Sequence, residues 1–213
     1  MAKFNAVSAP KLPNIACVGT VASIADTKPS ESGAYNVTNI KIEPRGGGYA
    51  TQFALLTRPE WLIPAFSPDV ELEGNTSAQF VYQTNIQGPP NSGVSRLVGI
   101  AGSEEAADKL VDDIFAAVVT ETDKDGNAFS SVPDVQLTSA IRKHADGKLV
   151  GYTLVQKKED TGEVDEKGKK IKIRTGNYEL GKLFFPTEDS LKRYRKLAKE
   201  RAEDWRVGFD EAF

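Results

Sequence analysis

Short runs in which apolar and polar residues alternate dominate the first hundred positions of the chain. Such alternation is typical of strands that face a core on one side and solvent on the other. It predicts five strands, at 15–25, 35–42, 49–57, 78–86 and 95–101. The connection after the third run contains Pro59, Pro64 and Pro68. These prolines exclude a regular strand and favour a short helix or a folded loop.

The apolar spacing changes to a helical period after residue 102. Apolar residues four positions apart predict a helix over 103–120, and similar signals predict helices over 133–145 and 187–205. Between the last two, the segments 148–157 and 170–178 alternate and predict a hairpin. We expect the charged connection of this hairpin to be mobile.

The order of these elements predicts an α+β fold. Five short strands with an irregular connection after the third are typical of an OB-like β-barrel, a partly open barrel whose face and loops bind oligonucleotides or oligosaccharides. We expect an N-terminal arm at 1–14, the five-stranded barrel at 15–101 and a C-terminal tail at 206–213. Residues 102–205 then form a helical and β-hairpin region that packs on the barrel.

The composition favours a reducing compartment. The single cysteine, Cys17, excludes an intramolecular disulfide and lies in an apolar strand-like run. The chain begins without the long apolar stretch of a secretion signal, and nowhere do 18 uncharged apolar residues run together. We therefore expect a cytoplasmic protein without a membrane segment.

The chain offers little for catalysis. His144 is the single histidine and ends a predicted helix, where we expect a solvated side chain near the last carbonyl groups. One cysteine and one histidine cannot supply the usual zinc ligands. The segment 123–127 has its glycine at the fourth place of a calcium loop, not at the sixth, and we interpret it as a turn. We expect no enzyme and no cofactor.

Charge is distributed unevenly along the chain. The net charge of −3 argues against a protein that coats duplex DNA simply by being basic. Residues 147–205, however, carry 15 lysines and arginines against 11 acidic residues, whereas residues 1–146 carry 11 against 17. A local basic surface is therefore expected in the second half.

Aromatic and cationic residues alternate along the predicted barrel strands. Single-stranded nucleic acid is bound without sequence preference by grooves that combine cations with aromatic rings, because every base has a π-face. We assign Phe53 and Phe80 to the core and the tyrosines, which tolerate a wet edge, to a binding face. Trp61 either stacks on a base or closes one end of the barrel. The candidate binding residues are Tyr35, Lys41, Arg45, Tyr49, Arg58, Trp61, Tyr82 and Arg96.

A second set of candidates lies on the predicted hairpin. Lys170, Lys172 and Arg174 alternate along one strand, so their side chains project from one face. Three like charges on one face favour a phosphate backbone as their partner. A solvated edge strand protected by its lysines is the alternative. The turn Gly46–Gly48 is interpreted as flexible, without a phosphate-binding role, because no Gly-Lys-Ser/Thr follows it.

The last six residues, GFDEAF, are acidic and end in Phe213. In this tail and in the strand order of 15–101 the chain resembles the single-stranded-DNA-binding proteins of bacteria and their viruses. The resemblance implies an OB-fold protein of DNA replication or recombination, active in the host cytoplasm if viral, with single-stranded DNA, or alternatively RNA, as its ligand. It also implies that Phe213 recruits replication proteins. The alternative is that Phe209 and Phe213 pack against the last helix.

Two other classes of protein remain as alternatives. A structural or assembly protein would use the β-rich half as a protein–protein interface and form a large, salt-insensitive oligomer that ignores nucleic acid, which light scattering would detect. The second alternative is an enzyme that uses carboxylates alone, since with 30 aspartates and glutamates some pair of carboxylates must lie close together. No spacing singles out such a pair.

Overall fold

The computed structural model describes residues 8–31, 36–57, 93–122, 125–126 and 128–209. Within these ranges the chain has a mixed α+β fold dominated by one large, mainly antiparallel sheet. The strands are β1 (Asn14–Ile24), β2 (Lys28–Pro29), β3 (Asn36–Arg45), β4 (Thr51–Thr57), β5 (Val119–Thr122), β6 (Ala128–Ser131), β7 (Leu149–Val164), β8 (Lys170–Phe184) and β9 (Trp205–Gly208). The helices are α1 (Gly93–Gly99), α2 (Glu104–Ala116), α3 (Asp134–Ala145) and α4 (Glu188–Glu200).

The long strands of the large sheet follow the order β4-β3-β1-β7-β8. Strands β1, β3 and β4 are consecutive antiparallel neighbours, and β7 returns after a long connection to pair with the free side of β1. This order is that of a Greek key, to which β8 adds a hairpin partner. Strand β2 pairs with the start of β3, and β9 pairs in parallel with the start of β1.

The sheet curls but does not close. Helix α1 contacts both outer strands, β4 and β8, and these two strands also contact each other. In the described part of the chain, however, no backbone hydrogen bonds pair β4 with β8. The small sheet of β5 and β6 is separate from the large one.

Two apolar clusters cover the two faces of β1. Alternate residues such as Ile15 and Cys17 belong to the main core, which also contains Ile40, Tyr152 and residues of α1, α2 and α3. The intervening residues Ala16 and Val18 pack in a second cluster with Leu191 of α4 and with Phe209. Because both faces of β1 are covered, the strand is apolar over most of its length.

The predicted helices α2, α3 and α4 are confirmed, with ends set by identifiable residues. The Ser103 hydroxyl accepts a hydrogen bond from the backbone N–H of Ala106, and the Thr187 hydroxyl accepts one from Ser190, so both residues act as N-caps. Helix α4 ends at Glu200, earlier than expected, because the chain turns there and continues as β9. No helix in these described ranges is long and apolar enough to cross a membrane.

The prediction of a strand over 95–101 is wrong, because the chain forms helix α1 there. The consecutive residues Leu97 and Val98 are both buried, as are Ile100 and Ala101. A short run that is buried all round cannot be distinguished from a strand by periodicity alone. The predicted strand 78–86 and the proline-containing connection before it lie outside the described residues.

A five-stranded barrel within residues 15–101 is not confirmed. The strands β1, β3 and β4 form as expected, but the sheet is completed by β7 and β8 from the second half of the chain. Residues 158–164 of the connection 158–169, which we expected to be mobile, belong to β7, and only residues 165–169 link β7 to β8. The hairpin is therefore part of the main sheet.

Candidate nucleic-acid interface

The hairpin of β7 and β8 extends beyond the sheet as a two-stranded arm. Strand β7 pairs with β1 only over 149–154, whereas its pairing with β8 continues to Val164. Residues 157–174, called here the hairpin arm, are mostly exposed. The arm therefore presents two faces to solvent, and the alternation of its strands decides which side chains lie on each.

One face of the hairpin arm is strongly basic. Lys158 is paired with Arg174, and Asp160 is paired with Lys172, so these four side chains share a face. Lys170 joins them because it alternates with Lys172 along β8. This basic face, consisting of Lys158, Lys170, Lys172 and Arg174, surrounds the single carboxylate of Asp160.

The opposite face of the arm is close to neutral. Lys157 Nζ lies 2.9 Å from Glu159 Oε1, so the cation there is matched by an anion on the same strand. Across from them, Ile171 and Ile173 project from β8. The two faces of the hairpin arm thus differ in charge: one is basic, and the opposite one is close to neutral.

The basic face begins at a tyrosine pair near the root of the arm. Tyr178 is paired with Gln156, which shares a face of β7 with Lys158. Between Tyr178 and Arg174 the strand has a bulge of three residues, 175–177, opposite Lys157. The ring of Tyr178 contacts that of Tyr49, with 5.9 Å between the ring centroids and a tilt of 34°.

The backbone of Tyr49 is fixed while its ring is free. The buried hydroxyl of Tyr152 donates a 2.6 Å hydrogen bond to the carbonyl of Tyr49, yet the Tyr49 residue is 57% exposed. A base between two rings needs about 7 Å, since each stacked contact takes about 3.5 Å. The 5.9 Å separation of Tyr49 and Tyr178 is too small for this. A base can therefore stack only on the outer side of the Tyr49 ring.

Tyr178 of the tyrosine pair lies near a further cation. Burial raises the pKa of the Tyr178 hydroxyl, while the positive charge of Arg206 on β9 lowers it. The Tyr178 hydroxyl donates a 2.9 Å hydrogen bond to the carbonyl of Pro13, which orients its ring. Arg206 itself is exposed. The root of the basic face thus offers an aromatic surface with a cation beside it.

The N-terminal segment 8–13 is tied to the root of the arm. The buried side chain of Gln156 donates hydrogen bonds to the carbonyls of Pro10 and Thr175, both at 2.8 Å, and accepts one from the N–H of Leu12. The N–H of Ala9 donates to the carbonyl of Arg174. Residues 8–13, which belong to the predicted N-terminal arm, are therefore fixed, and they hold the bulge at 175–177 in place.

Three of the predicted binding residues lie elsewhere. Lys41 is exposed, but its ammonium group is 2.8 Å from the Glu43 carboxylate. Arg45 is paired with Val18, which places it on the face of the sheet that packs against α4. Arg96 is half-buried in α1, with its guanidinium 5.5 Å from the ring centroid of Phe53.

The surroundings of Arg96 suit a packing role between the outer strands. Loss of hydration lowers the pKa of Arg96, and the carboxylate of Glu179 on β8 raises it. Phe53 lies on β4, so Arg96 interacts with both outer strands. It does not share the basic face of the arm.

Of the predicted residues, the structure thus places four at one site: Tyr49 and the three β8 cations Lys170, Lys172 and Arg174. Tyr49 joins them through its ring contact with Tyr178. Five predicted residues lie outside the described ranges, namely Tyr35, Arg58, Trp61, Tyr82 and Phe213. The sequence interpretation missed Lys158, Tyr178 and Arg206. The first two follow from the pairing register of the hairpin, whereas Arg206 requires the position of β9.

The environment of His144 differs from the expected one. His144 is buried, and its Nε2 lies 2.7 Å from Oδ2 of Asp113 on α2. Lys143 and His144 both lower the pKa of the Asp113 carboxyl, the first more strongly. His144 therefore links α3 to α2 and is not a solvated cap. The described residues contain no group of three or more histidine, cysteine or acidic side chains that could hold a metal ion.

The chain matches no protein-family model and has no significant match among curated proteins.

Proposed function

We propose that the chain is a single-stranded DNA-binding protein, largely independent of base sequence, that acts in replication or recombination. The observation that supports this most is the basic face of the hairpin arm, which begins at the exposed Tyr49–Tyr178 pair. Cations along a strand neutralise phosphates, and an exposed ring offers a stacking surface to any base. RNA has the same phosphate and base chemistry and is the alternative ligand.

An OB-like fold is part of the proposal. It is supported by the Greek-key order of the five long strands, since the OB-fold is a partly open, five-stranded Greek-key barrel. In such barrels the connection between the fourth and fifth strands contributes to the ligand site. In this chain the fourth and fifth long strands are β7 and β8. The hairpin arm is therefore a longer version of the connection that contributes to the ligand site in OB-folds.

The acidic net charge of the chain is compatible with this ligand because the cations are concentrated. Charges on solvent-exposed groups act over about 8–10 Å at physiological salt. A phosphate on the basic face is therefore influenced mainly by the charges of the hairpin arm itself, among them Lys158, Lys170, Lys172, Arg174 and the carboxylate of Asp160.

The proposal is tested by fluorescence anisotropy with labelled oligo-dT at 50 and 300 mM salt. The four cations of the basic face, less the carboxylate of Asp160, amount to three net phosphate contacts. These predict a salt slope near −2, so binding should weaken roughly fortyfold between the two concentrations. A duplex of the same length should bind more weakly, because its bases cannot reach Tyr49. Absence of binding at micromolar protein and 50 mM salt would contradict the proposal.

The tyrosine pair gives a separate prediction. Replacing Tyr49 with alanine should weaken oligo-dT binding about tenfold, at the lower end of the ~1–3 kcal/mol that a stacked base contributes. Tyr49→Phe should bind like the unmodified chain, because the Tyr49 interaction in the structure is through its ring and backbone. The same anisotropy assay measures both variants. An equal loss for the two variants would mean that the hydroxyl, and not the ring face, contacts the strand.

The proposal also includes a cytoplasmic location, in the host cell if the protein is viral, and recruitment of replication proteins through Phe213. In its described part, the end of the chain is folded: β9 pairs with β1, and Phe209 is buried with Leu191. Phe209 therefore packs against α4, as one of the two expected alternatives requires of it. Phe213 lies outside the described residues.

A further inference from the structure

Asp160 places a carboxylate within the basic face of the hairpin arm. Its Oδ2 lies 2.9 Å from the ammonium group of Lys170, and Lys172 is its pairing partner across the hairpin. The N–H of Gly162 donates a 2.9 Å hydrogen bond to its other oxygen. The Asp160 side chain is 34% exposed, against 73% for Lys170, so the carboxylate lies among the cations and not beyond them.

This arrangement opposes a phosphate ligand in two ways. The ion pair with Asp160 engages Lys170, which must leave that partner to contact a phosphate. The carboxylate also repels any phosphate that approaches Lys172. The hydrogen bond from Gly162 and the ammonium group of Lys170 lower the pKa of Asp160, so the group is ionised at neutral pH.

The residue next to Asp160 provides an internal comparison. Glu159 lies on the opposite face of β7, where its carboxylate is 2.9 Å from the ammonium group of Lys157. Asp160 and Glu159 are thus adjacent in sequence, and each forms an ion pair of 2.9 Å with a lysine. They differ in the face of the hairpin arm on which they lie.

We propose that Asp160 limits the affinity of the hairpin arm for a nucleic-acid backbone, by holding Lys170 in an internal ion pair and repelling phosphate. This inference rests on the proposed function. A strand held in this way is released more easily, because the carboxylate takes back Lys170 when the phosphate leaves.

The test compares Asp160→Asn and Glu159→Gln with the unmodified full-length chain, using labelled oligo-dT at 100 and 300 mM salt. One additional phosphate contact changes the salt slope by about −0.7, so Asp160→Asn should bind about fivefold more tightly at 100 mM and depend more steeply on salt. Glu159→Gln removes the same charge and should stay within about twofold of the unmodified chain. A gain in affinity cannot arise from damage to the fold.

The outcomes separate this inference from the proposed function. If the unmodified chain binds oligo-dT and Asp160→Asn binds no more tightly, or more weakly, the role assigned to Asp160 is wrong while the proposed function stands. Equal gains in both variants also contradict the inference, because the effect is then one of net charge. If the unmodified chain does not bind at 50 mM salt, the proposed function fails and the inference with it.

Discussion

Replacing Lys170, Lys172 and Arg174 together with glutamine is expected to weaken binding of oligo-dT about hundredfold at 0.1 M salt. Each phosphate contact on a single strand contributes about 0.7 to the salt slope, so three contacts account for about two orders of magnitude between 1 M and 0.1 M. All three side chains are exposed and share the basic face, so their loss should not disturb the core. The slope itself should become shallower by about 2.

The matched control removes three lysines from another surface. Lys192, Lys196 and Lys199 lie on α4 and are all exposed, and their replacement with glutamine changes the net charge by the same amount. We expect this variant to bind oligo-dT within about threefold of the unmodified chain, since distant charges are screened. Similar losses in both triple variants would show that binding depends on overall charge. A larger loss in the α4 variant would move the interface to that helix.

Replacing Phe209 with alanine is expected to lower the free energy of unfolding by about 3–5 kcal/mol, the usual cost of removing a buried phenylalanine side chain. Phe209 is 0% exposed and packs with Ala16, Val18 and Leu191. The guanidinium of Arg195 also lies 5.2 Å from its ring centroid. For a chain of this size the melting temperature should fall by about 6–20 °C.

Thermal or urea unfolding followed by circular dichroism measures this effect. Tyr49→Ala serves as the control, because it removes an aromatic ring that is largely exposed, and it should cost less than about 1 kcal/mol. An unchanged stability of Phe209→Ala would mean that the segment after α4 is not part of the folded unit. The two variants together also separate stability from binding, since only Tyr49→Ala should weaken oligo-dT binding directly.

The elements that the sequence predicted correctly are those whose pattern is local. The alternation along β3 distinguishes buried Ile40 and Ile42 from exposed Lys41, and it fixes both the strand and its faces. The four-residue spacing of Leu110 and Ile114 likewise identifies α2 as a helix and indicates which of its faces is buried. The start of α4, predicted at residue 187, is also set locally, because Thr187 is an N-cap followed by two acidic residues, which favours a helix start.

The parts that the sequence did not predict depend on contacts between distant residues. Strand β7 is buried on both faces over 150–154, and nothing local in its sequence indicates that its partner is β1, more than a hundred residues earlier. The ring contact of Tyr178 with Tyr49 follows from that pairing. The pattern predicts a strand where helix α1 forms, because the consecutive buried residues Leu97 and Val98, followed by Ile100 and Ala101, show no helical period over so short a segment.

The sequence predicted the β8 part of the basic face but not the β7 part. Alternation placed Lys170, Lys172 and Arg174 on one side of a strand without any tertiary information. Lys158 and Asp160 were assigned to a mobile connection, because charged segments with few apolar residues are typically disordered. Here the carbonyls of Thr175 and Ile171 accept hydrogen bonds from the side chains of Gln156 and Thr161 across the hairpin, and the strand pairing extends to Val164.

The most direct test of the proposed interface is photo-cross-linking of a bound oligo-dT that contains 5-iodouracil, with the attached peptides identified by mass spectrometry. The base is expected to stack on the exposed ring of Tyr49, so cross-links should fall on Tyr49 and disappear at high salt. Helix α4 and β9 provide alternative aromatic targets in Tyr194 and Trp205. Cross-links confined to those two residues, with none at Tyr49 or Tyr178, would contradict the proposed path of the strand along the hairpin arm.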